Sequence, residues 1–240
     1  MHASLGIPGG RGLLLPLYRA VATQQEKITI SKNLNQCFKD WKLLIKAISK
    51  RLTSVLELVP HDPHYIGYVD SSKSAVGGVW TSGTKQIQPT VWRLKWPAQI
   101  QQQLISASNK AGNLTINDLE LAGILLAWLV LEKITPPSLQ HAHTGIFCDN
   151  NSAVAWMQKK STSTSTIAGH LLRAIALRQH TNKSTPLQVL HIPGKENSMA
   201  DVASRSFNDN IFKTSNQNFL QNFSKLFPLQ TNSWKEFHLP

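Results

Sequence analysis

The sequence contains little of what several classes of protein require. It has only 2 cysteines in 240 residues, Cys37 and Cys148, and their wide separation excludes a disulfide framework or a cysteine-based zinc site. The longest apolar run, Leu121–Leu131, is too short to cross a bilayer. The first residues show no charged start followed by an apolar stretch, so we expect no secretory signal peptide. We therefore predict an intracellular protein that has no membrane partner.

Acidic residues are also scarce, since 13 Asp and Glu face 25 Lys and Arg and the formal net charge is +12. Such a field attracts polyanions, nucleic acid first and an anionic membrane surface second, although a basic protein can also be merely soluble. The hydrophobic content of 41% is enough to build a core. The glycine-rich stretch 6–12 lacks the Gly-Lys-Ser/Thr ending of a phosphate-binding loop, so it is interpreted as a turn.

Hydrophobic periodicity divides the chain into three parts. Residues 31–58 repeat apolar side chains every three or four positions, which predicts an amphipathic helix within a helical segment 1–60. Pro60 and Pro63 then mark a boundary. Segment 64–206 mixes strand and helix patterns, whereas segment 207–240 has little periodicity and is expected to be a linker or tail. The predicted apolar stripe of the first helix consists of Phe38, Trp41, Leu44, Ile45, Ile48 and Leu52.

The middle segment has the pattern of an α/β domain. Three strands come first, with Gly77-Gly78 and Ser82-Gly83 as expected turn residues, and helices and strands then alternate. This order predicts a five-stranded mixed sheet, an antiparallel meander followed by parallel strands, with helices on both faces. The predicted strands are Tyr65–Asp70, Val76–Trp80, Thr90–Trp96, Thr144–Cys148 and Leu187–Ile192, and the predicted helices are Thr115–Lys133, Asn151–Lys159, Ile167–His180 and Asn197–Arg205.

Four of the few acids stand where a metal site would place them. Asp70 and Asp149 each end a strand, at the edge where α/β proteins bind ligands. Glu120 lies on the apolar face of a helix, where a charge is costly unless it meets a cation, and Asp201 lies on the last short helix. Asp118 competes with Glu120 but falls on another helix face, where it suits either a cap or a position in solvent. Oxygen ligands of this kind favour Mg²⁺ or Mn²⁺ over zinc.

The local motifs around these acids resemble the ribonuclease H domain of retroelement reverse transcriptases. The resemblance covers residues 64–206, and order and separation both agree. Its most specific part is the last motif, with Ser204 and Arg205 following the final aspartate. The motifs are Tyr68-Val-Asp70-Ser-Ser, Asn117-Asp-Leu-Glu120, Cys148-Asp149-Asn-Asn and His191-Ile-Pro-Gly-Lys-Glu-Asn197-Ser-Met-Ala-Asp201.

The resemblance implies a ribonuclease H-like fold and specific roles for these residues. Asp70, Glu120, Asp149 and Asp201 would hold two Mg²⁺ ions, with Mn²⁺ as a substitute. His191 matches a proton shuttle or product-release group, although a strand-end histidine that packs locally fits equally well. Asn150 and Asn151 also fit the start of a helix. Contacts with the substrate are implied for Ser71, Asn151, Lys195 and Asn197.

The implied activity is cleavage of the RNA strand of an RNA–DNA hybrid. Segment 1–60 resembles the end of a polymerase thumb and the connection that follows it, and the tail is similar to joining segments of DIRS-type retrotransposons. The sequence has no Tyr-x-Asp-Asp polymerase motif, so we expect a piece of a polyprotein whose polymerase domain is a partner. Two alternatives stay open: a non-catalytic module that binds or tethers nucleic acid, and an integrase- or transposase-like nuclease that cuts DNA.

Overall fold

The computed structural model describes residues 14–23, 27–48, 62–83, 87–136, 142–162, 164–181, 187–208 and 218–239. The glycine-rich stretch 6–12 and the end of the predicted first helix lie outside these residues. The chain forms two compact units, one from residues 1–60 and 156–186 and the other from residues 61–155 and 187–240. The helices are α1 (Leu15–Val21), α2 (Lys32–Ile48), α3 (Ala98–Gln102), α4 (Ile116–Ile134), α5 (Asn151–Lys159), α6 (Thr166–Thr181), α7 (Ser198–Arg205) and α8 (Phe219–Leu226).

The second unit is built on a mixed six-stranded sheet of order β5-β4-β1-β2-β3-β6. β1, β2 and β3 pair antiparallel, whereas β4, β5 and β6 each join a neighbour in parallel. The predicted fold class, a meander followed by alternating helix and strand, is therefore confirmed, with one strand more than the five expected. The strands are β1 (Tyr65–Ser71), β2 (Ala75–Ser82), β3 (Thr90–Lys95), β4 (Thr144–Cys148), β5 (Leu187–His191) and β6 (Lys235–His238).

Helices cover both faces of this sheet, as the sequence predicts. α4 packs against β1 and β2 on one face, where the indole N–H of Trp80 donates to the Ala127 carbonyl at 2.9 Å. α7 packs against the same strands on the other face, where Val79 and Ala203 share one hydrophobic cluster. Within the described residues, no helix combines the length and the apolar character needed to cross a bilayer.

The expectation of a linker after residue 207 is wrong for residues 218–239. Asn218 caps α8 by accepting from the Gln221 amide at 3.0 Å, and β6 adds to the sheet beside β3. Phe219 and Phe223 of α8 are buried with Trp234 in the hydrophobic cluster. The strand of this segment was missed because it has only four residues, too few to show a clear pattern. Its stability in the sheet comes from pairing with β3, which lies far away in the sequence.

Gly77 and Gly78 lie inside β2 and do not form the expected turn. A Cβ on Gly77 would lie 2.5 Å from the Ser204 amide nitrogen, and one on Gly78 would lie 2.4 Å from the Tyr68 carbonyl oxygen. The pair is therefore needed for close approach of α7 and of the neighbouring strand. This approach places α7 close to the paired strands β1 and β2, beside Asp70.

The first unit contains α1, α2 and α6. The buried face of α2 carries Leu34, Cys37 and Leu44 together with Asp40. Phe38 and Ile45, predicted on the buried stripe, are 46% and 60% exposed. The helix is turned so that Asp40 faces inward, where it forms an ion pair with Arg173 of α6.

Candidate metal centre

Two carboxylates reach the candidate site from the ends of neighbouring parallel strands. Asp70 lies near the end of β1, and Asp149 directly follows β4. Val69 pairs with Cys148 across this ladder, so the two acids follow paired positions and leave the sheet at one edge. Asp70 is 6% exposed, and burial is the main cause that raises the pKa of its carboxyl group, with Asp149 and Asp201 adding to the effect.

Glu120 is brought to the same edge by α4. Thr115 and Asp118 form a capping box at the start of this helix, which fixes where the helix begins and which face meets the sheet. Asp118 is thus a cap, as the sequence suggested, and Glu120 is the acid that reaches the site. Glu120 is 5% exposed. Burial, with the charges of Asp70 and Asp149, raises the pKa of Glu120 to about 9.

Glu120, Cys148 and Asp149 offer ligand atoms that all lie within 4.8 Å of one another. The Cys148 thiol donates to Glu120 Oε2 at 3.9 Å, a contact that the sequence analysis did not predict. Burial and the neighbouring Glu120 raise the pKa of this thiol, so it stays neutral. A neutral thiol is a poor ligand for hard cations. Cys148 therefore supports Glu120, and the carboxylate oxygens are the donors of the site.

Asp201 differs from the other three acids because an arginine side chain already pairs with it. It lies in the first turn of α7 and forms an ion pair with Arg205 one turn later. Its side chain is 41% exposed. Its charge nevertheless contributes to the raised pKa of Asp70, so the two groups are close enough to interact.

Ser204 supplies the hydrogen bond that holds Asp70. Its hydroxyl is fully buried and donates to Asp70 Oδ2, and it also contacts the Asp201 carbonyl at 3.0 Å. Asn197 contacts the same strand by donating its side-chain amide N–H to the Val69 carbonyl at 2.9 Å. In the sequence, Ser204 stands out only as part of the last motif. Its position three residues after Asp201 is the signal that could have placed it near the site.

An open cleft runs along this edge of the sheet. Its lining carries both signs of charge, the acids Asp70, Glu120 and Asp149 and the basic Lys73 and Arg205. The lining residues are Asp70, Ser71, Ser72, Lys73, Ser74, Ile116, Glu120, Asp149, Asn150, Arg205 and Asn208. The carboxylates of such a cleft suit divalent cations, and its basic side chains suit a phosphate backbone.

The donor set fits a hard divalent cation. Among the ion pairs found in the described residues, none involves Asp70, Glu120 or Asp149. Buried carboxylates that repel one another need a cation in order to ionise together. Oxygen-only ligands suit Mg²⁺ and Mn²⁺. The residues present therefore fit the cations that the resemblance implies.

No family model matches the sequence, and no match was found among curated proteins. Solved structures of ribonuclease H proteins are similar to the chain at low identity. LC11-RNase H1 in complex with an RNA/DNA hybrid is 17% identical with a TM-score of 0.42, over 58% of this chain and 92% of that one. RNase H1 from the halophilic archaeon Halobacterium salinarum is 14% identical with a TM-score of 0.39, over 59% and 92%.

A viral protein is also similar. The protease-reverse transcriptase of prototype foamy virus is 14% identical with a TM-score of 0.37, over 61% of this chain and 21% of that one.

The residues predicted to contact the substrate are placed differently from one another. Asn151 is exposed at the start of α5, and Lys195 is exposed in the turn Gly194–Glu196 that precedes α7. Ser71 lines the cleft, but its hydroxyl donates to the Leu119 carbonyl at 3.0 Å. Asn197 is only 1% exposed, which suits a support for β1 better than a contact with substrate. Asn150, not Asn151, caps α5, because its Oδ1 accepts from the Ala153 amide.

His191 ends β5 and is exposed. It pairs with Cys148 in the sheet, so it lies beside the strand that leads to Asp149. A Cβ on Gly194, in the turn after His191, would come within 2.9 Å of Asp149 Oδ2. The turn that joins His191 to α7 therefore approaches the Asp149 carboxylate, and a side chain at position 194 would displace that carboxylate.

Proposed function

We propose that the second unit is a ribonuclease H-type endonuclease that uses divalent cations to cut the RNA strand of RNA–DNA hybrids. The observation that carries the proposal is the convergence of Asp70, Glu120 and Asp149 on one cleft without an ion-pair partner among the described residues. Asp70 and Glu120 are buried and Asp149 is half-buried, so holding the three acids together costs stability, and a bound cation would offset their repulsion.

In this proposal Asp70, Glu120, Asp149 and Asp201 hold two Mg²⁺ or Mn²⁺ ions. When bound, such ions supply Lewis acidity and charge neutralisation for an in-line displacement at a backbone phosphate. Ser204 keeps Asp70 oriented, and Cys148 does the same for Glu120.

Basic and polar side chains of the same unit would hold the substrate and move the proton. Lys73 and Arg205 line the cleft and provide positive charge for the nucleic-acid backbone, and Lys195 extends this charge. His191, exposed beside the Asp149 strand, would hold or release a proton for the leaving oxygen. The RNA strand would be recognised by its shape and its 2′-hydroxyl groups rather than by its bases.

The parent protein is proposed to be the reverse transcriptase polyprotein of a DIRS-type or related retrotransposon, acting inside the cell. The motifs around the four acids support this context, and so does the net charge of +12, which suits a nucleic-acid partner. The polymerase domain of the same polyprotein would be the partner of this unit.

The proposal is tested by incubating the full chain with a labelled RNA–DNA hybrid, double-stranded RNA and double-stranded DNA, with Mg²⁺ or with EDTA. We expect cleavage of the RNA strand of the hybrid only when the cation is present. Asp70→Asn should lower the cleavage rate at least about 10³-fold while the dissociation constant for the hybrid stays within about threefold.

Each other outcome would contradict the proposal in its own way. Hybrid binding without cleavage by the unmodified chain would indicate a tethering module. Cleavage of double-stranded DNA in preference to the hybrid would indicate an integrase-like nuclease. Undiminished cleavage by Asp70→Asn would remove the assigned site.

A further inference from the structure

The residues Phe219–His238, here called the C-terminal segment, pack against α7 in a shared hydrophobic cluster. The rings of Phe223 and Trp234 meet edge to face with centroids 5.2 Å apart, and the Phe219 ring lies 5.5 Å from that of Phe223, tilted by 41°. The Trp234 indole N–H donates to the Phe227 carbonyl at 2.7 Å, which ties α8 to the approach to β6. Because Ala203 of α7 belongs to the same buried cluster, the segment and α7 share one core.

Arg93 of β3 links the C-terminal segment to the end of α7. Its guanidinium carbon lies 3.7 Å from the centroid of the Phe219 ring and 4.7 Å from that of Phe207. Its Nε donates to Glu236 Oε1 of β6 at 3.2 Å, and its Nη1 donates to Ser206 Oγ at 3.0 Å. One side chain therefore contacts α8, β6 and the residues that follow α7. Arginine suits this position because its flat guanidinium stacks on rings while its N–H groups donate sideways.

The contact with Ser206 leads directly to the candidate site. Ser206 is 2% exposed, and its hydroxyl donates to the Ala203 carbonyl at 2.8 Å, so it completes the end of α7. Two residues earlier, Ser204 donates its hydroxyl to Asp70. The close approach of Ser204 to Gly77 leaves α7 little room to shift without breaking that hydrogen bond.

We propose that Arg93 is a positioning residue through which the C-terminal segment holds α7 in the register that lets Ser204 orient Asp70. The affinity of the site for divalent cations then depends on a segment whose residues do not line the cleft. The inference rests on the proposed metal-binding function, and it adds that residues 218–239 belong to the functional unit.

The test compares Arg93→Lys and Arg93→Gln with Lys95→Gln, an exposed position on the same strand. Mn²⁺ binding to the full chain is measured by calorimetry, and amide hydrogen exchange is measured for residues 198–206. Lysine keeps the charge but loses the stacked plane and the paired donors. We expect both Arg93 variants to bind Mn²⁺ about 10-fold more weakly and to exchange faster across α7, because groups behind metal ligands typically have effects of this size. Lys95→Gln should change neither quantity.

A double variant shows whether Arg93 acts through Ser204. If it does, Arg93→Lys combined with Ser204→Ala should weaken Mn²⁺ binding no more than Ser204→Ala alone. The proposal would be overturned if the fold loss of Mn²⁺ affinity in the double variant equalled the product of the losses in the two single variants. It would also be overturned if both Arg93 variants kept the Mn²⁺ affinity of the unmodified chain. Should Arg93→Gln fail to fold, Arg93→Lys carries the test, with circular dichroism as the check on folding.

The exchange measurement separates this inference from the proposed function. If the unmodified chain binds no Mn²⁺, the proposed function fails. Faster exchange across α7 in the Arg93 variants would then still show that Arg93 holds α7. Unchanged exchange would reject the positioning role whatever the cation binding.

Discussion

Two buried carboxylates of this chain are held in opposite ways. Asp40 of α2 is 1% exposed, and it has an ion pair with Arg173 and a hydrogen bond from Gln36 at 3.1 Å. Glu120 of α4 is 5% exposed and has a thiol and two further acids around it. The first carboxylate is paired with a cationic side chain, whereas the second has no ion-pair partner among the described residues and keeps its proton up to a pKa of about 9 unless a cation binds.

The difference shows how a structural acid can be told from a site acid. Burial alone does not separate the two, since both are nearly inaccessible. What separates them is the sign of the surrounding charge, which can be read only after the chain has folded.

Glu120→Gln should abolish cleavage at the site and remove the dependence of stability on pH that the Glu120 carboxyl group causes. We expect the Mg²⁺-dependent cleavage rate to fall at least about 10³-fold, equivalent to about 4 kcal/mol, because one cation ligand is lost. In EDTA, the folded chain holds a proton on Glu120 between pH 4.5 and about 9 that the unfolded chain releases. The free energy of unfolding of the unmodified chain should therefore fall as pH rises through this range, and the variant should lose that slope.

The matched control is Asp118→Asn, which changes another buried acid on the same helix. It removes hydrogen bonds of the capping box, so the free energy of unfolding should fall by about 1 kcal/mol. Mn²⁺ affinity should stay within about twofold, since Asp118 does not reach the cleft. If the two variants lost Mn²⁺ affinity equally, Glu120 would not be the acid of the site.

Arg173→Met should convert Asp40 into an acid without a cation. Leaving a buried carboxylate unpaired should lower the free energy of unfolding by about 3 kcal/mol in urea titrations. Exposed Lys42 of α2 offers a control, and Lys42→Met should change the value by less than about 0.5 kcal/mol. Replacing both partners, as Asp40→Leu with Arg173→Met, should recover most of the loss. Full stability in Arg173→Met alone would show that Asp40 does not depend on this pair.

Divalent cations should stabilise the ionised carboxylate of Glu120, as the Arg173 side chain stabilises that of Asp40. At 100 times its dissociation constant, Mg²⁺ should raise the free energy of unfolding by about 2.7 kcal/mol. Excess EDTA should reverse the gain, and Glu120→Gln should not show it. Equal stabilisation of the variant would mean that the cations bind elsewhere.

Arg205→Gln should have the smallest effect on stability. The pair with Asp201 is exposed on both sides, so the free energy of unfolding should change by less than about 0.5 kcal/mol. Because Arg205 no longer competes for Asp201, Mn²⁺ affinity should rise by about threefold. A fall in Mn²⁺ affinity would indicate that Arg205 organises the site instead of neutralising it.

The sequence predicted where the acids would stand because their positions follow from local rules. The ends of the strands beside Asp70 and Asp149 and the cap at Thr115 are each encoded within a few residues. The roles of the four acids and of His191 stay predictions until cation binding and cleavage are measured.

Other features of the site could not be predicted in this way. The contact between Cys148 and Glu120, the hydrogen bond from Ser204 to Asp70 and the burial of Asn197 join residues that are 28, 134 and 128 positions apart from their partners. The four-residue spacing of Phe219, Phe223 and Phe227 was not recognised as helical in the tail, and the sequence does not indicate what those rings pack against.

The sequence by itself determined the α/β pattern, the positions of the acids along the chain and the basic character that suits a nucleic-acid partner. Only the tertiary structure decided which acids lack a cation, that a sixth strand joins the sheet and that Arg93 connects this strand to α7. The physical reason is range: strand and helix periods act over neighbouring residues, whereas charge environment and packing depend on segments that meet only in the folded chain.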